Sequence, residues 1–416
     1  MNSYILSLLI IGLLLLGVTL GSGWIDRLPL SYALIYLIVG IILGSYGLGL
    51  IDVRPDTQFL ERLTEFVVII SVFGCGLKIN RPLKLWAWQS TIRLIGLLMP
   101  LSIGLIALLS HYALGMGWGA AVLLGAILAP TDPVLASEVQ LAHVEDKDEL
   151  RFALTSEGGI NDSLAFPFVY FGIYWFKDPN LNNWFKNWVA IDLVWAIASG
   201  IVMGVLVAKA IVWIDRHVQK RRSADDIMED FIAVSIVLLT YSLTEVINGY
   251  GFLAVFVAGL MVQRSYFCQQ DKRMAQLEFS EQIEKLLEVA TIIVLGTVLL
   301  VEPMLKYVGQ SLLIAGSIFL FVRPLGTWLS MIGSSLPKST RSLMGWFGIR
   351  GIGSLYYMTY ALGEGVTGST AEQIAWITYT VVVLSIIAHG ITAFPLMAWY
   401  EDVKVKREKL KTDIVR

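Results

Sequence analysis

Apolar residues occupy long, nearly unbroken stretches of this chain, separated by short breaks rich in charge, glycine, proline or asparagine. Crossing a bilayer takes about 20 mainly apolar residues per helix, and such stretches recur from Tyr4 to Ala398. The pattern predicts about 13 helices. They run from Tyr4 to Gly21, Leu28 to Leu50, Leu60 to Leu77, Leu85 to His111, Gly117 to Leu141, Leu150 to Phe176 and Val189 to Ile214. The rest run from Ile227 to Ile247, Phe252 to Phe267, Leu286 to Val301, Leu305 to Ile332, Leu343 to Leu362 and Ile374 to Tyr400. The expected fold class is therefore an all-α polytopic membrane protein, with residues 1–400 forming one membrane unit and 401–416 a short charged tail.

Composition removes the alternatives. The chain is 56% hydrophobic and 15% charged, with a mean hydropathy of +0.69, whereas soluble domains carry about 25% charged residues. A soluble globule is excluded. The net charge of -2 gives no footprint for nucleic acid. Two cysteines, Cys75 and Cys268, are too few for a disulfide framework or a cysteine metal site and read as packing residues. The first stretch, Tyr4 to Gly21, lacks a basic leader and a small-residue cleavage pattern, so it reads as a retained span.

Counted over alternate loops, one side receives Lys78, Arg81, Lys84, Arg216, Lys220, Arg221, Arg222, Lys272, Arg273, Lys338, Arg341 and the basic tail from Lys404 to Arg416. The other holds about four basic residues, Arg54, Lys177, Lys186 and Lys306. By the positive-inside rule the C-terminus is cytoplasmic and, with an odd helix count, the N-terminus lies outside.

Charges at bilayer depth cost at least about 2.5–3.5 kcal/mol each, so those inside the spans are candidates for function. Asp132, Glu157, Asp162, Arg323 and Arg350 stand out, while Lys209, Arg93, Arg62 and Lys285 lie nearer helix ends, where snorkelling accounts for them. Ala129-Pro130-Thr131-Asp132-Pro133 carries two prolines in mid-span, which remove donors and break the helix. Such a break exposes backbone carbonyls, tolerated at depth only against protein or a polar cavity, and supplies oxygens suited to a hard cation. Thr155-Ser156-Glu157-Gly158-Gly159-Ile160-Asn161-Asp162 places Glu157 with Asn161, and Gly158 with Asp162, at helical i, i+4 spacing. Gly348-Ile349-Arg350-Gly351-Ile352-Gly353-Ser354 interrupts a second span about 220 residues later, as paired broken helices do in inverted-repeat transporters; no residue-level repeat accompanies it. The candidate ion site thus draws on residues 117–176 and 305–362. Arg350 is expected to offset half-helix ends and nearby carboxylates. Arg323, preceding Pro324, needs a buried partner, and Glu157 is the first candidate. His389 reads as a hydrogen-bonded core residue, and His111, His143 and His217 fall at span ends.

Burial favours the protonated form of a carboxylate and a bound cation its ionised form, so one buried aspartate can hold either. Proton and cation contesting Asp162, in a site facing each side in turn, give obligatory exchange. Asn161 adds no second titratable charge, which favours one-for-one stoichiometry.

Ala-Pro-Thr-Asp-Pro-Val at 129–134, Glu157 with Asn161-Asp162, and Arg350-Gly351 together resemble sodium/proton antiporters of the NhaP and NHE type, a likeness spanning nearly the whole membrane region. The resemblance implies a thirteen-helix fold with dimerisation and core domains, crossed discontinuous helices, elevator-like motion, a homodimer in a cell membrane and electroneutral exchange. It implies that Asp162 binds the cation (Na+, with Li+ or K+ as alternatives) and the proton, that Thr131 lines the metal site, that Asp132 and Asn161 shape the crossing, and that Glu157 and Arg323 form a structural ion pair. No cofactor is expected beyond the transported ions. Many such antiporters follow the glutamate with serine; Gly158 stands here instead, so a hydroxyl is absent and water takes its place. The chain also lacks the long cytoplasmic tail of the animal exchangers, as expected of a prokaryotic, short-tailed type.

Two rival readings compete with this one. An intramembrane protease is suggested by Gly351-Ile352-Gly353-Ser354 with His389, although neither Asp132 nor Asp162 sits in a Gly-x-Gly-Asp pattern. A cation-coupled symporter of an organic solute needs a wider polar and aromatic site, which the sequence does not display.

Overall fold

In the computed structural model the described residues are 30–50, 57–219, 226–266 and 270–415, with a few scattered between 9 and 20. Most of the expected first span, Arg54, Lys220 to Arg222, Cys268 and Arg416 lie outside them. Every extended element among them is helical.

The short apolar stretches become α1, Tyr32–Leu43, and α2, Thr57–Lys78. Then come α3, Leu85–Leu114, and α4, Trp118–Leu128, which stops just before the Pro130/Pro133 pair; a 3-10 turn, Ser137–Val139, resumes the path. Next, α5, Glu149–Leu164, passes through Ala165 into α6, Phe166–Lys177, so the single expected span is two helices that meet just ahead of Pro167. Asp148 starts α5 by accepting the backbone N–H groups of Leu150 (2.9 Å) and Arg151 (3.2 Å) on its carboxylate, which satisfies orphan donors of the first turn.

Further along lie α7, Leu181–Val218, α8, Asp226–Val246, and α9, Gly251–Ser265. Helix α10, Gln270–Val298, begins well before the expected Leu286. Its charged first half has the composition of a loop; helix persists there with Glu281, Glu284 and Glu288, at i, i+3 and i+7, turned to one side. Glu281 pairs with Lys78 of α2 at 3.0 Å, and Glu284 accepts from Ser71 at 2.7 Å. Lys285, expected near a helix end, is exposed in mid-helix.

The last group is α11, Val301–Ser330, α12, Lys338–Trp346, α13, Ile352–Gly363, and α14, Gly368–Val415. The stretch expected as one span from Leu343 to Leu362 is thus two short helices separated by residues 347–351. Helix α14 carries the tail beyond Tyr400 as helix. Rather than standing free in solvent, Lys404 reaches Asp148 at 2.8 Å and Glu401 reaches Arg151 at 2.8 Å.

Among the described residues four helices, Leu85–Leu114, Leu181–Val218, Val301–Ser330 and Gly368–Arg407, are long and apolar enough to cross a membrane. Helix α2 runs through the interior against α5, α9, α10 and α13. The close approach of α2 to α9 needs glycine on both sides: a β-carbon on Gly76 would come within 3.0 Å of the Gly259 Cα, and one on Gly259 within 3.1 Å of the Gly76 Cα.

Candidate functional site

The two interrupted segments meet. Residues 129–136 and 347–352 are buried and non-helical up to Ile352, and the Asp132 N–H donates to the Ile349 carbonyl at 2.9 Å. Asp132 accepts the Val134 N–H on Oδ1 at 2.8 Å and the Ile352 N–H, at the start of α13, on Oδ2. Its carboxylate is therefore an N-terminal cap for the opposite broken helix.

Arg350, fully buried, answers at the other pole. Its Nη1 donates to the carbonyls of Ala129 (2.5 Å) and Pro130 (2.7 Å), where α4 ends. Its backbone N–H donates to Ser385 Oγ at 2.8 Å, fastening the crossing to α14. Carbonyls left open by a helix end at bilayer depth find their donor in this guanidinium.

Beside the crossing, α5 presents Asn161 and Asp162. Asn161 Nδ2 donates to Thr131 Oγ1 at 2.8 Å, tying α5 to the first break. Asp162 is 1% exposed, and neither of its carboxylate oxygens has a hydrogen-bond partner; Asn161 Oδ1 is likewise unpartnered. The Tyr357 hydroxyl donates to the Asp162 backbone carbonyl, not to its carboxylate. Gly353 admits the carboxylate to the start of α13, because a β-carbon there would lie 2.7 Å from Asp162 Oδ1. Acceptor oxygens without donors, at the meeting of two helix ends, fit a proton or a hard cation.

Five residues away, Glu157 and Arg323 form a bidentate pair: Nη1 to Oε1, and Nη2 to Oε2 at 2.7 Å. Both side chains are nearly inaccessible, at 2% and 3%. Arg323 follows the π-turn Ile318–Val322, and its Nε and Nη2 also donate to the Met344 carbonyl at 3.3 and 3.1 Å, closing the C-terminal end of α12. The pair therefore locks α5, α11 and α12 together.

All seven residues singled out in the sequence lie in this region, but their surroundings divide them. Asp132, Glu157, Arg323 and Arg350 are engaged in capping and pairing, whereas Asp162 is left open. The pair suggested for a serine hydrolase is not assembled: His389 faces the Ser385 carbonyl through Nδ1 (2.8 Å) and the Trp346 carbonyl through Nε2 (3.0 Å), while Ser354 Oγ is unpartnered. Tyr357, Ser385 and Gln140 complete the surroundings and were not singled out. Buried Glu284 and Glu288 were also passed over; the period of Glu281, Glu284 and Glu288 was the available signal, masked by charge density that read as a loop.

Comparison with known proteins bears on this arrangement. A family model described as "Sodium/hydrogen exchanger, transmembrane" matches residues 9–399. The K(+)/H(+) antiporter NhaP of Alkalimonas amylolytica is 25% identical over 402 residues, 96% of this chain and 67% of its own. The Na(+)/H(+) antiporter of Schizosaccharomyces pombe is 25% identical over 93% of this chain and 89% of its own length. Na(+)/H(+) antiporter 2 of Zygosaccharomyces rouxii is 28% identical over 211 residues, which cover 48% of this chain and 26% of its own length. The structure of the sodium proton antiporter MjNhaP1 from Methanocaldococcus jannaschii superposes with a TM-score of 0.75 at 21% identity, over 95% of this chain and 98% of that one; this likeness carries the fold.

Proposed function

Because the chain belongs to the transmembrane sodium/hydrogen exchanger family, we propose that it is a secondary antiporter exchanging a monovalent metal cation for protons, with Asp162 holding one or the other in turn. The observation that carries this reading is the Asp162 carboxylate, 1% exposed and with both oxygens unpartnered, beside two helix ends already neutralised by Asp132 and Arg350. A carboxylate in that position cannot stay bare and charged; a proton or a desolvated cation must accompany it. Thr131 and Asn161 contribute neutral oxygens, and Asp132 and Asn161 hold the crossing in shape.

Since Asn161 is neutral and Asp132 is committed to backbone donors, one titratable group serves the exchange, which supports electroneutral one-for-one stoichiometry. Relatives named for sodium and for potassium support the monovalent class and leave Na+, Li+ and K+ as the ions to compare. Alternating access is assigned to elevator-like movement of the unit carrying the crossing, within a homodimer. The distribution of loop charge supports a cytoplasmic C-terminus and an outer N-terminus. In a cell membrane such exchange serves pH and cation homeostasis.

The test is cation-induced dequenching of a pH dye in everted vesicles or proteoliposomes. Wild type should respond to at least one of Na+, Li+ and K+, and Asp162→Asn should not; undiminished exchange in that variant overturns the assignment. An imposed membrane voltage should leave the rate unchanged.

A further inference from the structure

Near the helix crossing, the Gln140 side chain has no role in the caps or the ion pair. Gln140 follows the turn Ser137–Val139 and is 3% exposed. The next residue fixes it to α5, since the Leu141 N–H donates to Thr155 Oγ1 at 2.9 Å. Gln140 Oε1 faces the Cys75 sulfur at 3.9 Å, whereas Nε2 has no partner. That nitrogen lies 3.4 Å from where a β-carbon on Gly158 would stand. Thr155, Gly158 and Asp162 share one helical face at i, i+3 and i+7. An amide N–H2 without a partner and a carboxylate without one therefore border the same strip of α5, with a glycine between them. Pro133 closes the gap, its Cβ and Cα 3.2 and 3.3 Å from that same β-carbon position.

Leaving a buried amide group unsatisfied is costly, so an unpartnered one beside an ion site calls for a partner, and an ion or water is one that can serve. A half-turn about Cγ–Cδ exchanges Oε1 and Nε2 without changing the shape of the side chain. The oxygen then faces the Gly158 gap, and the N–H2 faces the Cys75 sulfur, a weak acceptor. Alkali cations take oxygen ligands, and the turned amide would offer one on the face of α5 that carries Asp162.

We propose that Gln140 is a ligand and size filter for the transported monovalent cation, donating its amide oxygen across the Gly158 gap on the side of Asp162 nearer the start of α5. The proposal rests on the antiport reading.

The test compares purified wild type, Gln140→Met, Gln140→Glu, Gln140→Ala and the double variant Gln140→Ala/Gly158→Ser. Two readouts are taken with Na+, K+ and Li+: cation-dependent thermal stabilisation and exchange in proteoliposomes. Gln140→Met keeps length and loses the oxygen; the half-saturating cation concentration should rise roughly tenfold while the rate at saturation changes little. Gln140→Glu, which keeps an oxygen and adds charge, should lower half-saturation and change the ranking of the three ions. In the double variant the serine hydroxyl, no longer crowded by the amide, should restore much of what Gln140→Ala loses. Wild-type half-saturation and ion ranking in both Gln140→Met and Gln140→Glu overturn the proposal. If wild type itself responds to no cation and matches Asp162→Asn, the antiport reading falls and this one with it.

Discussion

Asp132 and Arg350 each cap the broken helix to which the other belongs. Asp132, on the first break, accepts the Ile352 N–H that opens α13; Arg350, on the second, donates to the Ala129 and Pro130 carbonyls that close α4. A helix presents partial positive charge at its N-terminus and negative at its C-terminus, so each side chain has the sign its target requires. Two interrupted helices can thereby cross inside an apolar bundle with the Ile352 N–H and the Ala129 and Pro130 carbonyls satisfied. The exchange of caps also consumes Asp132, leaving Asp162 as the carboxylate free for an ion.

Glu157 and Arg323 form a pair whose loss should register as stability. Removing one partner of a buried, hydrogen-bonded pair costs about 3–5 kcal/mol, because the remaining charge has no water to turn to. Glu157→Gln should lower the midpoint of thermal unfolding in detergent and reduce the yield of monodisperse protein. Its effect on the half-saturating cation concentration should be smaller. A variant of wild-type stability with altered cation affinity would instead move Glu157 into the ion site.

Gly353 should tolerate no side chain. A β-carbon there would stand 2.7 Å from Asp162 Oδ1 and 3.1 Å from its Cγ, forcing the carboxylate out of place. Gly309, on α11, has no neighbouring atom within 4 Å of the corresponding position. Gly353→Ala is therefore expected to reduce exchange by about tenfold or more while Gly309→Ala does not, since displacing a reacting group by an ångström costs on the order of a hundredfold in rate. Equal activity of the two variants in proteoliposomes counts against close contact between α13 and Asp162.

The sequence made the chemistry legible where it broke a rule. Prolines inside an apolar stretch, and aspartate, glutamate and arginine where lipid should be, marked Asp132, Glu157, Asp162, Arg323 and Arg350 because each is costly in isolation. Glu157 with Arg323 was expected for that reason and is seen. The crossing was expected from family likeness, and Arg350 was expected to offset half-helix ends, but Asp132 as the cap of the opposite helix was not, since that depends on how two segments some 220 residues apart meet. Helix boundaries failed where charge lies on helices. Glu281, Glu284 and Lys285 made the first half of α10 look like a loop, and Glu401 to Lys409 made the end of α14 look like a free tail. Gln140 is neither charged nor helix-breaking, and nothing in the chain distinguishes it before its neighbours are known.

The tail contact should persist through the physiological range and fail in acid. Burial alone would raise the Asp148 carboxyl, but Lys404, the Arg151 N–H and Tyr400 together hold it below its ordinary value. A carboxylate lowered in the folded state stabilises above its unfolded value of about 3.9, and that contribution disappears as pH falls through the lowered value. Hydrogen exchange over residues 401–409 should therefore be constant between about pH 6 and 8, after correction for intrinsic rates, and rise only below about pH 4. Lys404→Ala should raise it at neutral pH by no more than about fivefold, the equivalent of about 1 kcal/mol for a partly exposed pair. A transition near neutrality would show that another group governs the clasp.

Asp132 and Asp162 differ in what neutralisation removes, and that difference can be measured without any transport assay. Asp132 accepts backbone donors on both oxygens. In Asp132→Asn one oxygen becomes an N–H2 facing a donor, so a cap is lost and two hydrogens are opposed, at a cost of about 1–3 kcal/mol. The Asp162 carboxylate accepts from no protein donor, so Asp162→Asn breaks no side-chain bond and removes a buried group whose charged form is expensive. Thermal unfolding should therefore fall in Asp132→Asn and stay level or rise in Asp162→Asn. Added cation should further stabilise wild type, and to a lesser degree Asp132→Asn, but leave Asp162→Asn unchanged. The reverse order of stabilities would mean that Asp162 is bonded into the fold and that the open carboxylate must be sought elsewhere, with buried Glu284 and Glu288 the next to neutralise.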